Sequence, residues 1–122
     1  MSKILYVEDN PDTANAVKII LSGVGFEVDL AATGTDGLKM IDQNKYDLIL
    51  LDVMLPDMSG WDIYGRVHTK VASKYAFLSA IPVSSERMQQ LSKEGVSDYI
   101  IKPFVKADLI ARIRKILPKN GP

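Results

Sequence analysis

Short apolar runs alternate with longer amphipathic segments along the whole chain. The runs are rich in Ile, Leu, Val and Tyr and lack a regular polar alternation, which favours strands covered on both faces of a sheet. Five strands are predicted in this way, at residues 4–7, 26–30, 47–52, 75–79 and 98–101.

A helix is predicted after each strand. Apolar side chains mark one face of the first helix, at Ala14, Val17, Leu21 and Val24. Asn10 or Asp12 is expected to cap this helix, with Pro11 in its first turn. The other helices are predicted at 33–43, at 60–70, from Ser84 or Ser85 to Gly95, and along Leu109, Ile113 and Ile116 up to Pro118.

Five strand–helix units in succession indicate an α/β fold, a doubly wound (βα)5 arrangement around a parallel sheet. The crossovers should be right-handed. With 122 residues the chain has the length of one domain. We assign that domain to residues 1–118 and expect residues 119–122 to form a flexible C-terminal tail.

Composition narrows the function classes. The chain has no cysteine, so disulfide frameworks and thiolate metal sites are excluded. Fifteen basic and fifteen acidic residues balance, which argues against direct nucleic-acid binding. Without a signal peptide or a long apolar segment, a cytoplasmic protein with no membrane contact is expected. His68, the single histidine, is expected to be a solvated surface residue.

Polar residues cluster where the predicted strands end. Glu8 and Asp9 follow the first strand, Asp52 ends the third, Ser79 ends the fourth and Lys102 follows the fifth. In open parallel sheets, ligands bind outside these carboxyl ends. Each residue alone has an ordinary structural role, such as a helix cap or a solvated amine, so it is the joint placement that indicates a site.

The chemistry of this set is restrictive. Clustered carboxylates repel one another unless a cation compensates, and oxygen ligands favour a hard ion such as Mg²⁺. A carboxylate can also act as a nucleophile and form an aspartyl phosphate. A cation and a lysine beside it would stabilise the transferring phosphoryl group.

The whole chain, over about residues 3–117, resembles the receiver domain of bacterial and archaeal two-component response regulators. Four motifs carry the resemblance in order, namely Glu8-Asp9, the segment 52–60 (DVMLPDMSG), Leu78-Ser79-Ala80 and the segment 98–104 (DYIIKPF). The resemblance implies a flavodoxin-like sheet with strand order 2-1-3-4-5.

The resemblance also implies residue roles. Asp52 would be the phosphoacceptor. Mg²⁺ or Mn²⁺ would be held by Glu8 (through water), Asp9, Asp52 and the backbone carbonyl of Met54. Ser79 would be the switch hydroxyl, Lys102 the partner of the phosphoryl oxygens and Tyr99 the aromatic that changes rotamer. The bond before Pro103 is expected to be cis.

The function implied is that of a phosphoacceptor signalling domain, not an enzyme with an external substrate. A histidine kinase or phosphotransfer protein would supply the phosphoryl group. The added charge would switch the face formed by helix 4, strand 5 and helix 5, where an output protein or domain would bind. The sequence leaves open whether the chain acts as a monomer or a phosphorylation-dependent homodimer, and whether it stands alone or belongs to a longer protein; no nucleic-acid-binding domain is expected within it.

Met54 and Ile81 occupy the positions two residues after the phosphoacceptor and two after the switch hydroxyl, which tune phosphoryl lifetime in relatives. Both are bulky and apolar, so neither can orient an attacking water. We therefore expect slow self-dephosphorylation; packing of these side chains over the loop is the alternative.

Three other classes of protein are alternatives to this interpretation as a phosphoacceptor domain. A flavin-binding electron carrier would need a phosphate-binding loop after strand 1, whereas residues 8–12 are acidic. A phosphatase-type hydrolase would carry an aspartate where Met54 stands. A pseudo-receiver acting only as an interaction module would not need the complete acidic set and Lys102.

Overall fold

The computed structural model describes residues 1–118, and the predicted tail at 119–122 lies outside the described residues. Its strands are β1 Lys3–Val7, β2 Glu27–Ala31, β3 Leu48–Leu51, β4 Lys74–Ser79 and β5 Val96–Ile101. Its helices are α1 Pro11–Ser22, α2 Gly34–Gln43, α3 Gly60–Val67, α4 Ser85–Lys93 and α5 Lys106–Ile116.

All strand pairs are parallel, and the sheet has the order β2-β1-β3-β4-β5. The predicted doubly wound fold and strand order are therefore confirmed. The order reverses between β1 and β3, so the loops that follow these two strands flank the crevice where such sheets bind ligands.

The sheet separates two apolar layers. In β3 all four residues are buried, and they alternate between the layers: Leu48 and Leu50 belong to one cluster, Ile49 and Leu51 to the other. The first cluster lies against α1 and α5, and the second against α2, α3 and α4. Burial on both faces explains why the strands read as continuous apolar runs in the sequence.

Side-chain caps begin four of the five described helices. Asn10, Thr33, Ser59 and Ser84 each accept a hydrogen bond from a backbone amide in the first turn of the helix that follows. The two ambiguous predictions are thus resolved to Asn10 and Ser84. Helix α5 starts after Val105, with no side-chain cap.

Two expectations about the α3 region were wrong. Helix α3 ends at Val67 and not at Lys70, because the amides of Lys70 and Val71 both turn back to the Val67 carbonyl. His68 is half-buried: its ring stacks on Tyr64 with centroids 4.1 Å apart. A neighbouring aromatic side chain, which spacing alone did not reveal, draws the imidazole out of solvent.

None of the helices within residues 1–118 is both long and apolar enough to cross a membrane.

Candidate functional site

Three carboxylates meet at the carboxyl edge of the sheet. Oxygen atoms of Glu8, Asp9 and Asp52 all lie within 4.8 Å of one another. Glu8 and Asp52 are buried, while Asp9 is exposed. The sheet produces this cluster directly, because β1 and β3 are paired neighbours and Asp52 donates its amide to the Val7 carbonyl over 3.0 Å. The sequence prediction that these side chains converge is met by the geometry.

Lys102 approaches the same cluster from the end of β5. Its Nζ donates to Oδ2 of Asp52 over 3.1 Å and also to Oε1 of Glu8. The Lys102 amide donates to the Ser79 carbonyl over 2.9 Å, which fixes the backbone of Lys102 beside β4. The Lys102–Pro103 peptide bond is cis. One ammonium group therefore bridges two buried carboxylates.

Burial and neighbouring charges act in opposite directions on the pKa values of Asp52 and Lys102. Burial raises the pKa of Asp52, a hydrogen bond with Glu8 and its charge raise it further, and Lys102 acts in the opposite direction. Burial lowers the pKa of Lys102, but the hydrogen bonds and charges of Glu8 and Asp52 outweigh burial and leave that pKa raised. The cluster thus sets three carboxyl groups around a single charged lysine.

Glu8 has further partners that the sequence analysis missed. The Tyr6 hydroxyl donates to Oε1 of Glu8 over 2.9 Å, and the Asn10 amide donates to Oε2 over 3.2 Å. Tyr6 was assigned only to an apolar strand. Its position two residues before Glu8, on the same face of an extended chain, was the available signal.

Ser79, Ile81 and Tyr99 form a second group beside the carboxylates. Ser79 is buried, and its Oγ accepts a 3.2 Å hydrogen bond from the Ile81 amide. The Tyr99 hydroxyl donates to the Ile81 carbonyl, and burial raises the pKa of Tyr99. Tyr99 is buried, and its ring stacks on that of Phe77 with the two ring centroids 5.9 Å apart. The backbone of Ile81 therefore connects the Ser79 hydroxyl to Tyr99.

Met54 lies two residues after Asp52 in the loop that leads to α3. Its amide donates to Oδ1 of Asp52 over 3.3 Å, and its side chain is 66 % exposed. The side chain of Ile81 is 37 % exposed. The structure thus places an exposed apolar side chain on each of the two loops that follow Asp52 and Ser79.

The donor set fits a hard divalent cation. Its side-chain oxygens come from Glu8, Asp9 and Asp52, they converge within one ion's reach, and no sulfur or imidazole ligand is among them. The excess negative charge is what such a cation would neutralise. The site therefore combines a potential metal site, a buried carboxylate, a lysine and a hydroxyl at one edge of the sheet.

The fold and this arrangement agree with the comparisons. The family model described as "Response regulator receiver domain" matches residues 4–114. The chain belongs to the response regulator receiver domain family.

Among curated proteins, the transcriptional regulatory protein CusR of Escherichia coli (strain K12) is 39 % identical over 120 residues, which are 98 % of this chain and 52 % of CusR. The chain thus spans about half the length of this relative.

Two solved structures share the fold. A receiver domain protein (CheY-like) from Methanospirillum hungatei JF-1 has a TM-score of 0.86 and 30 % identity, with 98 % of this chain and 96 % of that chain covered. The response regulator protein TrrA from Thermotoga maritima, solved in complex with Mg(2+)-BeF, has a TM-score of 0.81 and 31 % identity, with 95 % and 99 % covered.

Proposed function

We propose that this domain accepts a phosphoryl group on Asp52 from the phosphohistidine of a histidine kinase or phosphotransfer protein. The observation that carries the proposal is the contact between Lys102 Nζ and Asp52 Oδ2, 3.1 Å, inside a cluster of three carboxylates. A structural ion pair would not need two further acidic side chains at the same point, because each of them adds repulsion.

Asp52 is the nucleophile of the proposed transfer. A carboxylate oxygen of Asp52 forms a bond to phosphorus, the bond between phosphorus and the donor histidine nitrogen breaks, and the histidine keeps that electron pair. Lys102, already at the carboxylate, then pairs with a phosphoryl oxygen. Because Asp52 is buried, few water molecules can compete with its carboxylate for the phosphorus.

Glu8, Asp9, Asp52 and the backbone carbonyl of Met54 would hold Mg²⁺ or Mn²⁺, with Glu8 acting through water. When bound, the ion supplies positive charge that offsets the acidic cluster and the incoming phosphoryl group. The fixed orientation of Glu8 by Tyr6 and Asn10 supports this assignment, since an anchored carboxylate loses little freedom on binding.

Ser79 and Tyr99 are the proposed link to the output. A phosphoryl group on Asp52 would draw the Ser79 hydroxyl towards it, which competes with the hydrogen bond that Ser79 accepts from the Ile81 amide. The Ile81 backbone also accepts from Tyr99, so the change reaches β5 and the α4-β5-α5 face. An output protein or domain would bind there; the relative CusR is a transcriptional regulator. Both a monomer and a phosphorylation-dependent homodimer are compatible with this scheme.

Met54 and Ile81 support a long phosphoryl lifetime. Both side chains are exposed on the loops beside Asp52, and neither has an atom that can orient a water for attack on phosphorus. The domain would assist its own phosphorylation and dephosphorylation without acting on an external substrate.

Incubation with acetyl phosphate and Mg²⁺, followed by intact mass measurement, tests the proposal. We expect the mass of one phosphoryl group to be gained by the wild-type chain and by Asp12→Asn, a control in the first turn of α1, but not by Asp52→Ala. Absence of the gain in the wild type, or its persistence in Asp52→Ala, would refute the proposal and favour a pseudo-receiver.

A further inference from the structure

One side chain, Asp57, joins two loops at the carboxyl edge of the sheet. Its Oδ1 accepts from the Gly34 amide over 2.8 Å. Its Oδ2 accepts from the Thr35 amide over 2.9 Å and from the Thr35 hydroxyl over 2.6 Å. The loop between β3 and α3 is thereby fastened to the first turn of α2, which lies more than 20 positions earlier in the chain.

The partners of Asp57 suit a carboxylate. The first amides of a helix have no partner within the helix, and the helix dipole favours an anion at this end. Hydrogen bonds from Thr35 and Gly34 hold the pKa of Asp57 at about 2, so the group is charged at neutral pH. The cap of α2 itself is separate: the Thr33 hydroxyl accepts from the Asp36 amide over 3.0 Å.

A close apolar contact accompanies these hydrogen bonds. A Cβ atom added to Gly34 would lie 2.3 Å from Cγ and 2.6 Å from Sδ of Met58, the residue after Asp57. The Met58 side chain therefore occupies the space that any larger residue at position 34 would need. Two successive residues thus hold this loop against the start of α2, Asp57 by hydrogen bonds and Met58 by packing against Gly34.

The loop fastened by Asp57 is the one that carries Asp52 and Met54. Residues Met54 and Ser59 form an isolated antiparallel bridge, and the Gly60 amide donates to the Val53 carbonyl over 2.9 Å. These bonds close the segment into a compact turn. Fastening its far side through Asp57 consequently limits the movement of Met54, the residue whose carbonyl is the proposed backbone ligand.

We propose that Asp57 is a positioning residue for the metal site: by binding the first turn of α2 it holds the Met54 carbonyl in place for the divalent cation. The inference rests on the proposed function, because it assumes that the acidic cluster binds Mg²⁺. Helix α2 contributes no side chain to the cluster, but in this proposal it is the rigid element that supports the loop carrying Met54.

The test compares two variants that both weaken the first turn of α2. Asp57→Ala removes the link between the loop and the helix, whereas Thr33→Ala removes only the helix cap. The dissociation constant for Mg²⁺ is measured by calorimetry and by the fluorescence of Trp61, the single tryptophan, and stability by thermal unfolding without Mg²⁺.

We expect Asp57→Ala to weaken Mg²⁺ binding by roughly tenfold, as loss of a supporting partner of a metal ligand does. Thr33→Ala should lower the melting temperature but leave the dissociation constant unchanged. Thr35→Val, which removes only the hydroxyl bond to Asp57, should weaken Mg²⁺ binding by a smaller factor.

Equal weakening in Asp57→Ala and Thr33→Ala would overturn the inference, because the effect would then come from loss of α2 stability alone. Unchanged Mg²⁺ binding in Asp57→Ala would also overturn it. Failure of the wild-type chain to bind Mg²⁺ at all would instead refute the proposed function, so the two failures are distinguishable.

Discussion

The hydroxyl of Tyr6 donates a 2.9 Å hydrogen bond to Glu8 from a side chain that has no solvent exposure. Burial raises the pKa of Tyr6, and the charge of Glu8 raises it further, so the hydroxyl stays protonated and able to donate above the pH at which a free tyrosine ionises. This hydrogen bond connects the core layer in which Tyr6 packs, on the side of α1 and α5, to the acidic cluster at the carboxyl edge of the sheet.

Tyr6→Phe should therefore destabilise the domain. A hydrogen bond to a charged group contributes about 1.5–3 kcal/mol, and the isosteric Phe ring leaves the packing intact. The free energy of unfolding, measured in urea, should fall by that amount. Tyr46→Phe is the matched control, because it removes a 2.8 Å hydrogen bond to Asp29 of β2, outside the acidic cluster. Since Asp29 is only partly buried, the free energy of unfolding should fall by less than in Tyr6→Phe, and Mg²⁺ binding should be unaffected. Equal losses in both variants would show that burial of Glu8 adds nothing.

Asp52→Asn should stabilise the domain at neutral pH in the absence of Mg²⁺. Burial and Glu8 raise the pKa of Asp52 above its unfolded value, so the folded state favours the protonated carboxyl and that stability is lost as pH rises through the folded pKa. Asn carries no charge and avoids this loss. The melting temperature should rise by a few degrees at pH 7, and the difference from wild type should shrink as the pH falls towards 4 and below.

Added Mg²⁺ supplies the control for this prediction. The ion should raise the melting temperature of the wild type more than that of Asp52→Asn, since binding to the folded state alone is stabilising. A lower melting temperature of Asp52→Asn at pH 7 without Mg²⁺ would contradict the argument, because it would mean that the ion pair with Lys102 outweighs burial.

Two glycines of α3 should respond oppositely to alanine. A Cβ atom at Gly60 would lie 2.2 Å from the backbone oxygen of Asp52, a contact that only movement of the main chain relieves. At Gly65, no heavy atom of the described residues lies within 4 Å of the corresponding position, apart from the chain neighbours and the backbone of the helix itself. In urea unfolding, Gly60→Ala should cost about 3 kcal/mol or more, whereas Gly65→Ala should stabilise by roughly 0.5–1 kcal/mol. A neutral Gly60→Ala would show that the start of α3 can move away from Asp52.

Met54→Asn and Ile81→Glu should accelerate the loss of the phosphoryl group from Asp52. Each introduces a polar atom able to orient water beside the site, and a positioned acid–base or hydrogen-bonding group contributes about 10²-fold or more in favourable geometry. The decay is followed by intact mass after removal of acetyl phosphate. Val83→Asn, on the same connection as Ile81 but farther from Ser79, serves as a control. Unchanged decay in both variants would show that the two side chains only cover the loops.

Much of this site could be predicted from the sequence. Apolar runs located the strands because burial on both faces leaves no polar positions within them. Once the strands were located, Glu8, Asp9, Asp52, Ser79 and Lys102 were expected at one edge, because parallel strands end on the same side. The order of the strands came from the family resemblance, since periodicity does not specify which strands pair.

The bond from Tyr6 to Glu8, the two contacts of Lys102 and the link from Asp57 to α2 emerged only in the folded chain. Each depends on how far a side chain reaches across loops whose relative positions are set by packing of the helices, and no local pattern encodes that distance. The sequence by itself determined which chemical groups this domain brings to the edge of its sheet. The tertiary structure decided which of them touch, because hydrogen bonds between residues far apart in the chain form only when the two layers of core side chains fix the loops around them.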